Sequence, residues 1–230
     1  MTRLFLAILG VLLVTLALPR FMAYVSLAPG VPATRLVLEG ARLTPEGYAR
    51  AIRAHERALS WLDHGRIRAE LGSLLLLRAM RENDLEYLLD WERGKAEALQ
   101  GLAREPVNDT TWLVLAQAAA EEGDRETLLA ALHWAVRSDP YDPDNAHIRI
   151  GLALPVWERL DLRTRIALEA DLAALLRRDA VALARALAAV GRLYLLELVV
   201  DARPELREAY ERALARLAVE PSPLADSGSS

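Results

Sequence analysis

Apolar residues form one long uncharged run near the start of the chain and a regular helical pattern after it. Residues 4–18 read LFLAILGVLLVTLAL. From Tyr48 onward, apolar side chains recur every three or four residues, as at Ile52 and Leu59. This is the spacing of one face of an α-helix, and no stretch shows the sustained alternation of a half-buried strand. The pattern predicts an all-α protein.

The uncharged run predicts a membrane segment. On its own it is shorter than the hydrocarbon core of about 30 Å, but it is long enough if the helix continues through Pro19 and Arg20 to Ala28. Arg20 would then extend its guanidinium toward the headgroups. A signal peptide cleaved after Ala28 is one alternative, although Pro29 should obstruct the peptidase, and a buried core helix is another. We therefore expect residues 1–28 to be a retained membrane or signal anchor, with residues 4–28 in the bilayer.

The charges around this segment do not fix its orientation. Arg3 and the terminal amine lie on one side, and Arg20, Arg35 and Arg42 lie on the other. Because the layout copies a secretory signal, we expect a cytoplasmic N-terminus. The expected location is a bacterial inner membrane crossed once, with the bulk of the chain periplasmic.

The rest of the chain divides at proline-rich and polar stretches. Residues 29–43 contain Pro-Gly-Val-Pro and predict an extended linker. Thr44-Pro45-Glu46 has the composition of a helix start, and residues 44–220 are expected to form one helical domain. Helix caps are also expected at Asp161 and Asp179, and a kink or split at Pro155. The polar residues 221–230 predict a disordered tail.

One segment, residues 109–142, carries a repeat pattern. Small and large residues alternate along two predicted helices around a central glycine, with a proline after the second: Trp112, Leu115, Ala116, Ala119, Gly123, Leu128, Leu132, Ala135 and Pro140. The segment resembles a tetratricopeptide repeat, which folds as two antiparallel helices, and a degenerate repeat precedes it and ends at Pro106. The resemblance implies a solenoid of antiparallel helix pairs in which Trp112 and Leu132 are buried. A plain helical hairpin is the alternative.

The resemblance also implies a binding surface. In repeats of this family the first helix lines a groove that binds a partner, and five positions correspond to that face here: Thr110, Leu113, Gln117, Ala120 and Glu121. This face is mixed apolar and acidic. The expected partner segment therefore carries an apolar anchor and a basic residue.

Composition removes several classes of chemistry. There are 28 Lys+Arg against 32 Asp+Glu, so there is no basic excess for nucleic acid, and the absence of cysteine excludes disulfides and thiolate sites. No two of the four histidines are three or four residues apart, as a helical metal pair requires, and His55 and His133 are expected on or near packed faces as core residues. The sequence lacks a P-loop, a dinucleotide fingerprint and a nucleophile elbow. We therefore expect no catalytic residue, no metal and no cofactor.

The overall layout suggests a function. A short anchor, a degenerate repeat and the Leu-Pro-x-Trp segment with an Asp-capped, Arg-rich helix at residues 154–165 are similar to accessory proteins of bacterial exopolysaccharide systems. This likeness implies a non-catalytic, membrane-anchored scaffold or adaptor that binds another protein of a cell-envelope assembly, in exopolysaccharide biosynthesis or export. The alternatives are a cryptic enzyme or glycan-processing subunit, and a purely structural tether.

Overall fold

The computed structural model describes residues 2–38, 40–82, 88–140 and 142–219. All regular structure in these ranges is helical, which confirms the all-α prediction. The chain divides into two compact units, Met1–Ser138 and Asp139–Ser230. The single domain expected over residues 44–220 is therefore split between two units. The predicted disordered tail, residues 221–230, lies outside the described residues.

The described residues of the first unit form seven α-helices: α1 (Thr2–Leu27), α2 (Val31–Leu38), α3 (Pro45–Trp61), α4 (Gly65–Glu82), α5 (Leu88–Arg104), α6 (Asp109–Glu122) and α7 (Arg125–Ser138). The predicted start of α3 is confirmed, because the Thr44 hydroxyl accepts a hydrogen bond from the Gly47 backbone N–H at 3.2 Å. The apolar spacing also predicts a helix from about Asp84 to Arg104; its start lies outside the described residues, and its predicted end at Arg104 is confirmed by α5.

Helix α1 is apolar and exposed over most of its length, yet its last turns belong to a core. The stretch Ile8–Leu27 is long and apolar enough to cross a membrane, judged by length and composition. Ala23 and Leu27 are buried in a cluster with Ala58 of α3 and Ile67 of α4. The apolar helix therefore continues directly into the folded unit.

The prediction of an extended linker at residues 29–43 was wrong. Residues 31–38 form α2, and Val37 is buried in the same core cluster as Tyr48 of α3. Pro32 is compatible with this helix because it lies in the first turn, where backbone N–H groups have no partner within the helix. The Thr34 hydroxyl donates to the Gly30 carbonyl at 3.0 Å. This segment is thus packed into the unit.

Helices α4 and α5 pack backbone against backbone. A methyl group placed on Gly72 would lie 2.4 Å from the backbone nitrogen of Ala98, and one on Gly101 would lie 2.5 Å from that of Ala69. Both distances are far below van der Waals contact. Only glycine permits this approach at either position.

Helices α6 and α7 form the pair expected from residues 109–142, with Gly123 between them in the left-handed conformation at φ 73°. Leu132 is fully buried, as predicted. Trp112 is only half-buried, contrary to expectation. Its ring stacks on Trp134 at 6.0 Å, and its indole N–H donates to the Pro106 carbonyl. Trp112 therefore packs at the edge of the hairpin.

Within residues 139–140 and 142–219, the second unit has four α-helices and two short 3-10 segments: α8 (Ala146–Ala153), 3-10 residues Leu154–Arg159, α9 (Leu162–Ala189), α10 (Tyr194–Ala202), 3-10 residues Pro204–Leu206 and α11 (Arg207–Val219). The expected split at Pro155 is confirmed by the change from α8 to a 3-10 segment. Asp161 caps α9 through the Thr164 N–H, and Asp179 accepts from the Ala182 N–H inside α9, where the backbone leaves helical geometry.

A buried ion pair ties the second unit together. The Arg149 guanidinium donates two hydrogen bonds of 2.7 Å to the Asp171 carboxylate and two more to the carbonyls of Asp139 and Asp142. Burial raises the pKa of Asp171, against the opposing effect of Arg149. The arginine therefore links the start of this unit to α9.

We predict that Gly101→Ala lowers the free energy of unfolding of the first unit by about 1–3 kcal/mol, because the added methyl forces α4 and α5 apart. Gly151→Ala in α8 is the control, since nothing lies within 4 Å of the added methyl, and it should be neutral or stabilise by up to about 1 kcal/mol. Hydrogen-exchange protection of the α5 amides measures the stability of the first unit, and that of the α8 amides measures the stability of the second. Unchanged α5 protection in Gly101→Ala would contradict the close approach.

A second prediction concerns the end of α1. A chain that begins at Met22 keeps Ala23 and Leu27, whereas one that begins at Pro29 loses both. We expect the shorter chain to be less stable by about 2–5 kcal/mol, the usual cost of removing a buried leucine side chain. Urea unfolding followed by circular dichroism measures the difference. Equal midpoints would show that α1 contributes nothing to the core.

Candidate functional site

A pocket of about 290 Å³ lies beside the start of α6 in the first unit. Its walls come from α4, from the connection between α5 and α6, from the first turn of α6 and from the end of α2. The lining residues are Leu38, Arg66, Glu70, Glu105, Val107, Asn108, Asp109, Thr110 and Thr111. The pocket thus combines a helix N-terminus with charged side chains from other elements.

Local hydrogen bonds fix the first turn of α6 at this wall. The Asn108 side chain caps the helix by accepting from the Thr111 N–H at 3.0 Å. The Thr111 side chain is buried, and its hydroxyl lies 3.2 Å from the hydroxyl of Ser73 in α4. Helices α4 and α6 are therefore joined by polar contacts as well as by packing.

Glu70 in the lining connects the exposed Arg66 to the fully buried His55. The Glu70 carboxylate accepts a hydrogen bond from Arg66 Nε at 2.8 Å and lies 3.2 Å from Nε2 of His55. His55 is fully buried, as predicted, and its Nδ1 lies 2.9 Å from the Ala51 carbonyl oxygen. Burial acts to raise the pKa of Glu70, but the hydrogen bonds and charges of His55 and Arg66 outweigh it and hold that pKa below its usual value. Glu70 is ionised at neutral pH.

The described lining of the pocket is acidic. Among these residues there are three carboxylates, those of Glu70, Glu105 and Asp109, and one guanidinium, that of Arg66. One oxygen of Glu105, Oε2, is buried without a hydrogen-bond partner and lies 3.8 Å from Nδ1 of His64. Val107 adds a largely exposed apolar side chain. Such a lining suits a cationic group that carries an apolar neighbour.

The five predicted groove residues do not form one continuous exposed face. Thr110 lines the pocket, Gln117 is half-buried, and Ala120 and Glu121 are exposed. Leu113 is buried, with 3% of its surface exposed, because α6 packs against α4, α5 and α7 and hides most of its circumference. Leu113 therefore serves the core, and the accessible part of the predicted surface is split between the two ends of α6.

Three charged residues that line the pocket, Arg66, Glu70 and Glu105, are not among the site residues predicted from the sequence. Arg66, Glu70 and Glu105 lie in segments whose spacing indicates ordinary helices with exposed charges. They come together only because α4 packs against both α3 and α5. No local sequence signal marks that arrangement.

The lining favours binding over proton transfer. A general acid that works near neutral pH needs a raised pKa, whereas the pKa of Glu70, which burial acts to raise, is held below its usual value by hydrogen bonding with His55 and Arg66. The buried hydroxyl of Thr111 already contacts Ser73. The pocket can offer fixed negative charge, which binds a cation without reacting with it.

We predict that Glu70 makes the first unit less stable in acid. Since its pKa in the folded protein lies below the usual value of 4.5, the unfolded chain binds the proton more tightly. The stabilisation is present above about pH 4.5 and is lost as the pH falls through the lower folded pKa. Glu70→Gln should be less stable than the wild type at pH 7, and the difference should shrink below pH 4.5.

Urea unfolding at several pH values measures this difference. Glu105→Gln is the matched control, because it removes the other glutamate of the same pocket. A difference between wild type and Glu70→Gln that stays constant with pH would contradict the proposed ion pairing.

Comparison of the chain with protein-family models, with curated proteins and with solved structures gives no match. Helices α6 and α7 are joined by a turn at Gly123, and the resemblance of residues 109–142 to the tetratricopeptide family stays a prediction from the sequence. The candidate site therefore rests on the residues of this chain alone.

Proposed function

We propose that this protein is a non-catalytic, membrane-anchored helical scaffold that binds a protein partner in a bacterial cell-envelope assembly. The observation that carries the proposal is α1, whose first part is exposed and apolar while its end is built into the core of the first unit. A helix that is apolar on all sides and unburied is suited to lipid. The layout of the chain suggests exopolysaccharide biosynthesis or export as the pathway.

The packing of α1 supports an anchor that is retained. Cleavage after Ala28 would remove Ala23 and Leu27 from the cluster that they form with Ala58 and Ile67. A signal peptide that is discarded gains nothing from such packing. We therefore propose a single-pass protein of the inner membrane with the bulk of its chain in the periplasm.

The partner-binding surface that we propose is the accessible part of α6 and the pocket at its start. Ala120 and Glu121 provide an exposed patch at one end of the helix, and Thr110 belongs to the acidic pocket at the other. Both ends favour a partner segment with a basic residue. The proposal of a binding module rather than an enzyme is supported by the ionised, cation-paired state of Glu70.

A photo-cross-linking amino acid tests the binding surface in native membranes. Ala120 in α6 and Ala130 in α7 are both exposed alanines of the same helix pair, so they form a matched pair of insertion sites. We expect one discrete adduct from position 120 and none from position 130, because only the first lies on the proposed surface. Adducts of equal yield at both positions, or at neither, would contradict the proposal.

The same membranes test the anchor. The full-length chain should stay with the bilayer after alkaline extraction, and its intact mass should include Met1. A chain that begins at Pro29 would show that the segment is a cleaved signal.

A further inference from the structure

The end of α1 and helix α3 run antiparallel along a contact between small residues. Ala23 of α1 packs in one cluster with Ala58 of α3. Further along the chain, a methyl placed on Gly30 would lie 2.7 Å from the side chain of Ala54. As the chain advances from Ala23 to Gly30, its neighbour on α3 changes from Ala58 back to Ala54, so the two segments run in opposite directions. The C-terminal end of α3 therefore lies beside the point where α1 leaves the unit.

This pairing gives the position of Trp61 along α1. Trp61 lies three residues beyond Ala58, and Arg20 lies three residues before Ala23, so each is displaced by about 4.5 Å in the same direction. Trp61 is consequently level with Arg20. Toward the N-terminus from this level, α1 carries no charged residue back to Arg3.

The uncharged part of α1 before this level approaches the thickness of a bilayer. As a helix, Leu4–Pro19 is about 24 Å long, and Arg3 and Arg20 at its two ends can extend their guanidinium groups toward the headgroups on either side of a hydrocarbon core of about 30 Å. The apolar side chains of this part that the structure describes are exposed: Leu6, Ile8, Leu9, Val11, Leu12, Leu13, Val14, Leu16 and Leu18. If this part spans the membrane, Arg20 marks the boundary between acyl chains and headgroups.

Three residues at this level or about one helical turn beyond it have the chemistry of a membrane boundary. Trp61 is 46% exposed and Tyr24 is 59% exposed, although both are large aromatic side chains. Trp and Tyr concentrate at the level of the headgroups, where one part of the ring is in contact with acyl chains and its polar atom is hydrated. Arg20 is exposed beside them and can reach lipid phosphates. We call Arg20, Tyr24 and Trp61 the interfacial edge.

The turn that follows Trp61 is held in a fixed position. Asp63 forms ion pairs with Arg68 of α4 and Arg104 of α5. Hydrogen bonds from Arg104 and Arg68 lower the pKa of Asp63 to about 2, so the carboxylate is ionised at any physiological pH. The end of α3 is therefore tied to two neighbouring helices, and Trp61 has a stable place beside α1.

We propose that the interfacial edge rests on the phospholipid bilayer, with the Trp61 ring at the boundary between headgroups and acyl chains. The first unit is then held against the membrane surface by the α3–α4 turn as well as by α1. This inference rests on the membrane anchor of the proposed function, and it adds the face of the unit that contacts lipid.

Fluorescence quenching by brominated lipids tests the proposal on the full-length chain. The protein is reconstituted into phosphatidylcholine–phosphatidylglycerol vesicles whose acyl chains carry bromine near the carbonyl end. We expect quenching of tryptophan emission, and we expect Trp61→Phe to remove most of it. Trp134→Phe is the matched control, because Trp134 is similarly exposed, at 40%, in the same unit. It should leave the quenching unchanged.

Bromine moved to the end of the acyl chains provides a second measurement on the wild type and should quench less. Quenching that persists in Trp61→Phe, or that Trp134→Phe removes, would overturn the proposed lipid contact of Trp61. It would leave the proposal that α1 is a membrane anchor intact. A protein that alkaline extraction releases from the vesicles would overturn the anchor and the inference together. Circular dichroism of each variant confirms that the comparison is made between folded proteins.

Discussion

The contact between small residues of α1 and α3 is the constraint on which the first unit depends. Ala23 near the end of α1 shares a buried cluster with Ala58, and Gly30 in the turn that follows α1 lies against Ala54. This part of the chain therefore approaches α3 more closely than larger side chains would permit. Dispersion contacts gain from this proximity, and the exposed apolar helix becomes a direct extension of the folded core. A flexible linker would leave the unit free to rotate relative to α1. Here the direction of α1 and the direction of α3 are set together.

Glycine likewise permits a close approach between α4 and α5, and the position of the pocket residues depends on that approach. The close approach at Gly72 and Gly101 holds α4 between α3 and α5. Glu70 of α4 is thereby enclosed next to the fully buried His55. In such surroundings an unpaired carboxylate is costly, and pairing with Arg66 and His55 keeps it ionised. The charge of the pocket is thus a consequence of helix packing.

Local features of the fold could be predicted from the sequence, and features that depend on distant segments could not. The cap at Asp161 and the turn at Gly123 involve residues within a few positions of one another, so their chemistry is visible in the sequence. The helix at residues 31–38 was missed because its stability comes from Val37 packing against α3 and α4. Leu113 was placed on an exposed face because the pattern of α6 alone does not reveal its several neighbours.

The pocket and the interfacial edge adjoin through Arg66, and this bears on how a partner would reach the site. Arg66 donates a hydrogen bond to Glu70 in the pocket, and it follows Trp61 of the edge by five residues across the α3–α4 turn. With the edge on the bilayer, the pocket would be close to the headgroups. A basic residue next to a partner's own membrane segment would then reach the carboxylates directly, and confinement of both proteins to one membrane would raise their effective concentration.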